Sequence, residues 1–155
     1  MNRVAVSASG VPLPQWSKPL KSYVRKVLEK LGKDKWDISI LLCGDAAISE
    51  LNSRYRGKEG ATDVLSFSQN EGEQFPGMCG RCLIGDIGIS LETLRENASR
   101  FNISEDEELR RLLIHGILHL SGMNHLSNGK AEAMLQLQER VLTDLAGERI
   151  VGRGA

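Results

Sequence analysis

The chain has 155 residues, of which 41% are hydrophobic and 26% charged, a composition typical of a folded globular protein rather than a disordered or fibrous one. This length predicts a single domain, residues 1–155, with a core large enough to fold without disulfides. Lys plus Arg and Asp plus Glu both number 20, which excludes a long-range attraction to nucleic acid, so a polyanion would need a local basic patch.

Targeting signals and cysteine usage indicate the compartment. Residues 1–16 have neither the unbroken apolar run of a secretory signal nor the Arg/Ser-rich pattern of a transit peptide. No segment approaches the roughly 18 apolar residues of a membrane span. Three cysteines (Cys43, Cys79 and Cys82) form an odd set that suits a reducing compartment. We therefore expect a cytoplasmic protein with no membrane partner.

Strand-like and helix-like patterns alternate along the chain. Period-two or continuous apolar patterns predict strands at 2–9, 36–44, 64–68 and 82–90. Helical spacing predicts helices at 16–32, 45–55, 91–101, about 104–122 and about 127–147. The resulting order, β-α-β-α-β-β-α-α-α, predicts an α/β (α+β) fold with a small mixed four-stranded sheet packed against helices. Residues from about 148 to 155 are expected to form a loose C-terminal tail.

Local signals mark the ends of two predicted helices. The first helix closes at Gly32, in a C-cap position. Ser104, with Glu107 three residues later, is typical of a capping box at the start of the fourth helix. The acidic run 105–108 lies in the first turn of that helix, where it favours the helix dipole.

All three histidines lie within "HGILHLSGMNH", residues 115–125. His115 and His119 are four residues apart and should share one helix face, and Gly122 allows the chain to turn so that His125 closes the site. Three imidazoles leave one coordination position open, as in zincin-like catalytic zinc sites. The cluster thus predicts one bound Zn²⁺, or nickel or another divalent transition metal. The alternative is that the histidines are merely packed or solvated on a helix.

Gly116 bears on the reaction. The histidine spacing matches that of metzincin proteases, H-E-x-x-H-x-x-G-x-x-H, but Gly116 replaces the glutamate that acts as their general base. A bound metal still lowers the pKa of water from about 15.7 toward about 7. Peptide hydrolysis would also need a proton for its amine leaving group, whereas the charge developing on a phosphodiester can be met by a metal and an arginine. The site therefore favours a phosphodiester substrate.

Three blocks resemble the YbeY family of bacterial single-strand-specific, metal-dependent endoribonucleases, which act in ribosomal RNA maturation and ribosome quality control. They are "LNSRYRGKEGATDVLSF" (51–67), "LIGDIGIS" (83–90) and "HGILHLSGMNH" (115–125). The resemblance implies that His115, His119 and His125 bind the metal. It also implies that Arg56 is catalytically important, and His115 is counted with it as a candidate catalytic residue.

Arg56 has support of its own, and two positions depart from the family pattern. Arg56 lies in the basic segment 54–58, and a guanidinium matches phosphate oxygens in a bidentate fashion. The alternative is a solvated loop arginine. Ala61 stands where the family usually has proline, which loosens the loop. Asn124 stands where it usually has aspartate, which is expected to lower metal affinity if that residue orients a ligand.

Other polar residues have competing interpretations. Cys79 and Cys82 form one C-x2-C pair without the second ligand pair of a structural zinc site, and we expect no function for them. Asp86 either ties the sheet to the histidine helix or faces the site. Thr62 and Asp63 fit turn-forming positions at a strand entry.

The resulting hypothesis is hydrolysis of single-stranded RNA at a metal held by the three histidines, with Arg56 binding the phosphate. Ribosomal RNA and the small ribosomal subunit are the expected partners, and DNA is not expected. One alternative is a non-catalytic, RNA-binding ribosome assembly factor whose metal is structural. A metzincin-like protease is the second alternative.

Overall fold

The computed structural model describes residues 2–56, 64–68, 82–121 and 128–151, and segments 51–56, 64–68, 82–84 and 128–132 are described by their backbone alone. The strands are β1 (Arg3–Ala8), β2 (Trp36–Cys43), β3 (Val64–Ser68) and β4 (Cys82–Ser90). The helices are α1 (Ser17–Lys30), α2 (Asp45–Arg56), α3 (Leu91–Arg100), α4 (Glu105–Leu120) and α5 (Asn128–Asp144).

The four strands form one mixed sheet in the order β1-β2-β4-β3. β1 pairs with β2 and β2 with β4 in parallel. β3 runs antiparallel to β4, with Val64 opposite Ile89 and Ser68 opposite Gly85. Three strands are therefore parallel and one is antiparallel, which confirms the predicted mixture of a small sheet with helices.

One face of the sheet carries the main core. Alternate residues of β2 and β4 point to this face and are almost fully buried together with apolar residues of α1 and α4: Ile38, Ile40, Leu42, Ile87, Ile89, Leu28, Leu113 and Ile117. On the opposite face, a Cβ added to Gly88 would lie 3.9 Å from Ile48 of α2. The helix that carries the histidines thus packs on the core face, and α2 packs on the other.

The ends of α1 and α4 follow the sequence signals. After α1, Gly32 adopts φ +74°, and the Lys33 N–H donates to the Leu28 carbonyl at 2.8 Å, which closes the helix with the predicted glycine cap. At the start of α4, the Ser104 hydroxyl accepts from the Glu107 N–H at 3.0 Å. Helix α4 ends at Leu120, two residues before the predicted end at Gly122, which lies outside the described residues.

The C-terminal segment is held against α4 as far as the structure describes it. Ile150 is fully buried, and the N–H groups of Ile150 and Val151 donate to Asp106 Oδ1 at 2.7 and 2.8 Å. Arg110 Nε donates to the other carboxylate oxygen of Asp106 at 2.8 Å. Residues 148–151 are thus docked rather than part of a loose tail, because a buried carboxylate and an apolar side chain hold them. Residues 152–155 lie outside the described part.

Membrane insertion has no support from the helices of the described ranges, since none combines the length and apolar character needed to cross a bilayer.

Candidate active site

The two histidines of α4 converge on one point. His115 and His119 are both partly exposed, and their Nε2 atoms lie 3.0 Å apart. The rings meet edge to face, with centroids 4.6 Å apart and planes inclined by 71°. The i, i+4 spacing places both side chains on one helix face, one turn apart. The structure therefore brings together two of the three predicted metal ligands.

The imidazole pair fits a transition metal in donor type and in spacing. Two nitrogens bound tetrahedrally at about 2.0–2.1 Å from Zn²⁺ would lie about 3.3 Å apart, close to the 3.0 Å between the Nε2 atoms. Imidazole nitrogen suits zinc, nickel and copper. No third His, Cys or carboxylate within the described ranges completes a group of three donors. His125, the predicted third ligand, lies outside those ranges.

The ring of His115 is oriented by a buried glutamine of α5. Gln138 is 5% exposed, and its Oε1 lies 2.7 Å from His115 Nδ1. The Gln138 amide NH₂ donates to Glu139 Oε2 at 3.2 Å, so the amide oxygen is the atom that faces the imidazole. Because this oxygen can only accept, Nδ1 of His115 carries a proton in this contact. Nε2 is then the unprotonated nitrogen of a neutral His115, and it is the atom that faces His119.

An ion pair connects α4 to α5 next to this contact. Arg111 donates to both carboxylate oxygens of Glu139, at 2.9 and 3.0 Å, and to Glu107 at 3.3 Å. The hydrogen bonds from Arg111 hold the pKa of Glu139 below its usual value, and those to Glu139 raise the pKa of Arg111. Both groups therefore stay charged at neutral pH, and the interhelical contact persists.

A surface cavity of about 410 Å³ borders this contact. Its lining includes His115 and Gln138 together with Arg111. Two apolar side chains at the cavity are unusually exposed, Phe101 at 62% and Leu135 at 45%. Solvent therefore reaches the vicinity of the contact between His115 and Gln138.

Packing explains the glycine that follows the first histidine. A Cβ on Gly116 would lie 3.0 Å from Cδ1 of Ile87 in β4, closer than ordinary van der Waals contact. Ile87 is fully buried. A glutamate at this position would have to enter the core between α4 and the sheet. A metzincin-type glutamate therefore does not fit at this position unless Ile87 moves.

The remaining predicted site residues are only partly described. Arg56 is the last residue of α2, and its side chain lies outside the described part. Asp86 is partly exposed and alternates along β4 with Ile87, which packs against Gly116. Asp86 therefore projects from the sheet face opposite α4, which argues against its interpretation as a tie to the histidine helix. Five further residues lie outside the described residues: Ala61, Thr62, Asp63, Cys79 and Asn124. Cys82 is the first residue of β4, and its side chain lies outside the described part.

Sequence reasoning missed Gln138, Glu139 and Arg111. A buried glutamine gives no recognisable motif, and Gln138 contacts His115 at a sequence separation of 23. Arg111 and Glu107 do show the i, i+4 spacing of opposite charges, but that spacing is common on exposed helix faces. The contacts of these residues depend on the packing of α5 against α4, which the sequence does not indicate.

The fold and the converging imidazoles define a class: a mixed α/β protein with a histidine pair on a helix that packs against the sheet. A solved structure shares this fold. The solution structure of TM1509 from Thermotoga maritima matches with a TM-score of 0.58 and 27% identity, covering 95% of this chain and 93% of that one.

Sequence comparison identifies the family. A family model described as "Endoribonuclease YbeY" matches residues 6–146. Proteins named Endoribonuclease YbeY are similar: the one from Treponema pallidum (strain Nichols) is 48% identical over 92% of this chain and 89% of its own length. That from Parabacteroides distasonis is 37% identical over 94% of this chain and 97% of its own. The chain belongs to the YbeY endoribonuclease family, which confirms the resemblance of the three sequence blocks.

Proposed function

We propose that the protein is a metal-dependent endoribonuclease that hydrolyses single-stranded RNA, acting on ribosomal RNA during ribosome maturation. Membership in the YbeY family supports the RNA-cleaving activity. The observation that carries the site is the 3.0 Å approach of the Nε2 atoms of His115 and His119, with His115 held at its other nitrogen by Gln138. The cytoplasm and the small ribosomal subunit belong to the same proposal.

Each proposed residue has a separate task. His115 and His119 hold the ion through Nε2, and His125 is the proposed third ligand. When bound, a divalent transition metal supplies an activated water near neutral pH and positive charge beside the phosphate. Arg56 neutralises charge on the phosphate oxygens by bidentate hydrogen bonding. Gly116 follows His115 and has no side chain, so it cannot accept a proton from water as a glutamate would.

Charge and exposure support a flexible, single-stranded substrate. The N-terminal half of α4 is acidic, with four consecutive acidic residues in its first turn (105–108). Glu105 and Glu107 are the solvent-accessible members of this run and disfavour an RNA backbone there, so the RNA should approach from the C-terminal half, whose last turn contains His119. The histidines are only partly exposed, and an unpaired strand can bend toward such a site more readily than a duplex.

The test compares metal content and cleavage in matched variants. The wild type should contain one equivalent of metal by elemental analysis and should cleave a labelled single-stranded ribosomal RNA fragment faster than the same sequence in a duplex. His115→Ala and His119→Ala should each lose the metal and at least about 100-fold of the activity. Arg56→Lys should keep the metal and lose about 100-fold in kcat. Arg100→Lys, at the end of α3, is the control for an exposed arginine.

Two outcomes would overturn this proposal. Full cleavage and full metal content in His115→Ala would remove the site. RNA binding without cleavage by the metal-loaded wild type would instead favour an RNA-binding assembly factor. Equal rates on single-stranded and duplex RNA would refute the strand preference alone.

A further inference from the structure

Gln138 of α5 is more than a packing residue. It is almost fully buried, and its amide oxygen forms a hydrogen bond with Nδ1 of one side chain, His115, at 2.7 Å. Buried glutamine is uncommon unless its polar atoms have partners. Here both ends have one, because the NH₂ group donates to Glu139 at 3.2 Å. The glutamine therefore links the imidazole to a charged group at the surface.

Glu139 fixes which way the amide points. A carboxylate only accepts hydrogen bonds, so it selects the NH₂ end of Gln138 and turns the oxygen toward His115. Glu139 is itself held by two parallel hydrogen bonds from Arg111, which is anchored on α4 by Glu107. Bidentate pairs of this kind restrict orientation more than a single contact does. The amide of Gln138 thus has one favoured orientation.

The orientation of the amide determines the tautomer of His115. An oxygen at Nδ1 requires a proton on Nδ1, which leaves Nε2 as the lone-pair nitrogen of the neutral ring. Nε2 is the atom that lies beside Nε2 of His119. Metal-binding histidines commonly donate their second N–H in this way, and loss of the acceptor typically weakens metal binding by about 10–100-fold.

We propose that Gln138 is a positioning residue for the metal site, holding His115 as the Nδ1–H tautomer with Nε2 presented to the ion, while Glu139 and Arg111 hold Gln138. This inference rests on the proposed function, because it takes His115 as a metal ligand. The positioning acts on the metal-free protein as well. It is therefore measurable without RNA and without catalysis.

The neighbouring cavity decides which substitution is informative. His115 and Gln138 both line a space of about 410 Å³ that reaches solvent. Truncation of Gln138 to alanine would let water enter and accept the Nδ1 proton, which would hide the effect. Leucine fills more of the space and offers no acceptor, so Gln138→Leu is the sharper variant. Gln136→Leu, at an exposed position on the same helix, is the matched control.

The first readout is the tautomer of His115 in the metal-free protein, from long-range ¹H–¹⁵N correlation spectra of the imidazoles at pH 8. The wild type and Gln136→Leu should show His115 protonated at Nδ1. Gln138→Leu should shift the population toward Nε2–H. The second readout is zinc affinity by competition with a chromophoric chelator, which we expect to fall about 10–100-fold in Gln138→Leu and to be unchanged in Gln136→Leu.

A charge-conserving exchange tests whether another acceptor of the same shape at position 138 is sufficient. In Gln138→Glu/Glu139→Gln, the carboxylate at 138 can accept from Nδ1–H, and the amide at 139 can donate to it. Zinc affinity and the Nδ1–H tautomer should recover to within about threefold of the wild type. Glu139→Ala, a change at an exposed site, should weaken zinc binding by only a few fold, because it frees the amide to turn without removing it.

The outcomes separate this inference from the proposed function. If the wild type binds no zinc, the proposed metal site fails, whatever the tautomer. If the wild type binds zinc and Gln138→Leu binds it equally with an unchanged tautomer, the metal site stands and the role of Gln138 is refuted. Loss of affinity in Gln138→Leu with an unchanged His115 tautomer would also refute positioning, since it would show that packing rather than the acceptor was what mattered.

Discussion

An added Cβ on Gly116 would lie 3.0 Å from Cδ1 of Ile87 and 3.2 and 3.3 Å from two further carbons of that side chain. Ile87 is fully buried in β4. Helix α4 therefore sits against the sheet at a distance that a glycine permits, and this distance sets the depth of the neighbouring His115. Gly116, the residue after the first histidine, therefore allows α4 to pack closely against Ile87.

We expect Gly116→Ala to destabilise the protein by about 1 kcal/mol. Alanine gains about 1 kcal/mol of helix propensity over glycine, but overpacking of a filled core costs about 1–3 kcal/mol. Ile87→Val removes the closest carbon and should cost about 0.5–1.5 kcal/mol alone. The double variant should then lose less stability than the sum of the two single losses in urea unfolding. Strict additivity would show that this contact is not what limits position 116.

Local features of the fold were predictable because they depend on near neighbours in the chain. The bounds of β3 and β4 match the predicted 64–68 and 82–90. The cap of α4 at Ser104 formed as expected, since a hydroxyl and an N–H three residues apart meet whenever a helix begins there. The second half of the expected capping box did not follow the pattern: the described bond of the Glu107 carboxylate is with Arg111.

Features that depend on distant parts of the chain were not predictable. The sequence indicated four strands but not their order, because β2 pairs with β4, where the Cys43 thiol donates to the Ile89 carbonyl at a sequence separation of 46, and no local signal encodes that choice. Asp106 looked like one of several acidic residues that favour the helix dipole. Its bonds to Ile150 and Val151 cross more than 40 positions. The contact of Gln138 with His115 is also long-range in sequence, so the histidine motif did not predict it.

Asp106 should be the residue on which docking of the C-terminal segment depends. We expect Asp106→Ala to destabilise the protein by about 3 kcal/mol, because it leaves the buried Arg110 without its ion-pair partner and two N–H groups without their acceptor. Native-state hydrogen exchange should show the amides of Ile150 and Val151 losing protection. Glu105→Ala, at an exposed position in the same helical turn, is the control. Retained protection of both amides would contradict this role.

Asp45, the first residue of α2, should make stability depend on pH. Hydroxyls of Ser90 and Thr93 donate to its carboxylate and hold its pKa below the ordinary value of 3.8. A carboxyl group whose pKa is lowered by folding contributes stability above its unfolded pKa, and the contribution is lost as pH falls through the folded pKa.

Because solvent screens this partly exposed carboxylate, Asp45→Asn should cost only about 0.5 kcal/mol at pH 7 and progressively less below about pH 4. Urea midpoints measured between pH 7 and pH 3 provide the check. Glu96→Gln, at an exposed position of α3, should change stability little at either pH. A cost for Asp45→Asn that stays constant down to pH 3 would show that the charge of Asp45 is not what the hydroxyls stabilise.

Chelation should abolish cleavage and leave the domain folded. The buried face of α4 packs on the sheet through apolar residues such as Leu113 and Ile117, so the core is complete without an ion. A ligand present at 100 times its Kd stabilises the folded state by about 2.7 kcal/mol, which for a chain of this size corresponds to a fall in Tm of about 5–10 °C on removal. A thermal melt with and without chelator should show this modest shift and one cooperative transition, and zinc should restore cleavage.

Unfolding at room temperature on chelation would instead indicate a structural metal, as an RNA-binding assembly factor would have. His115→Ala provides the control, because its Tm should not respond to the chelator.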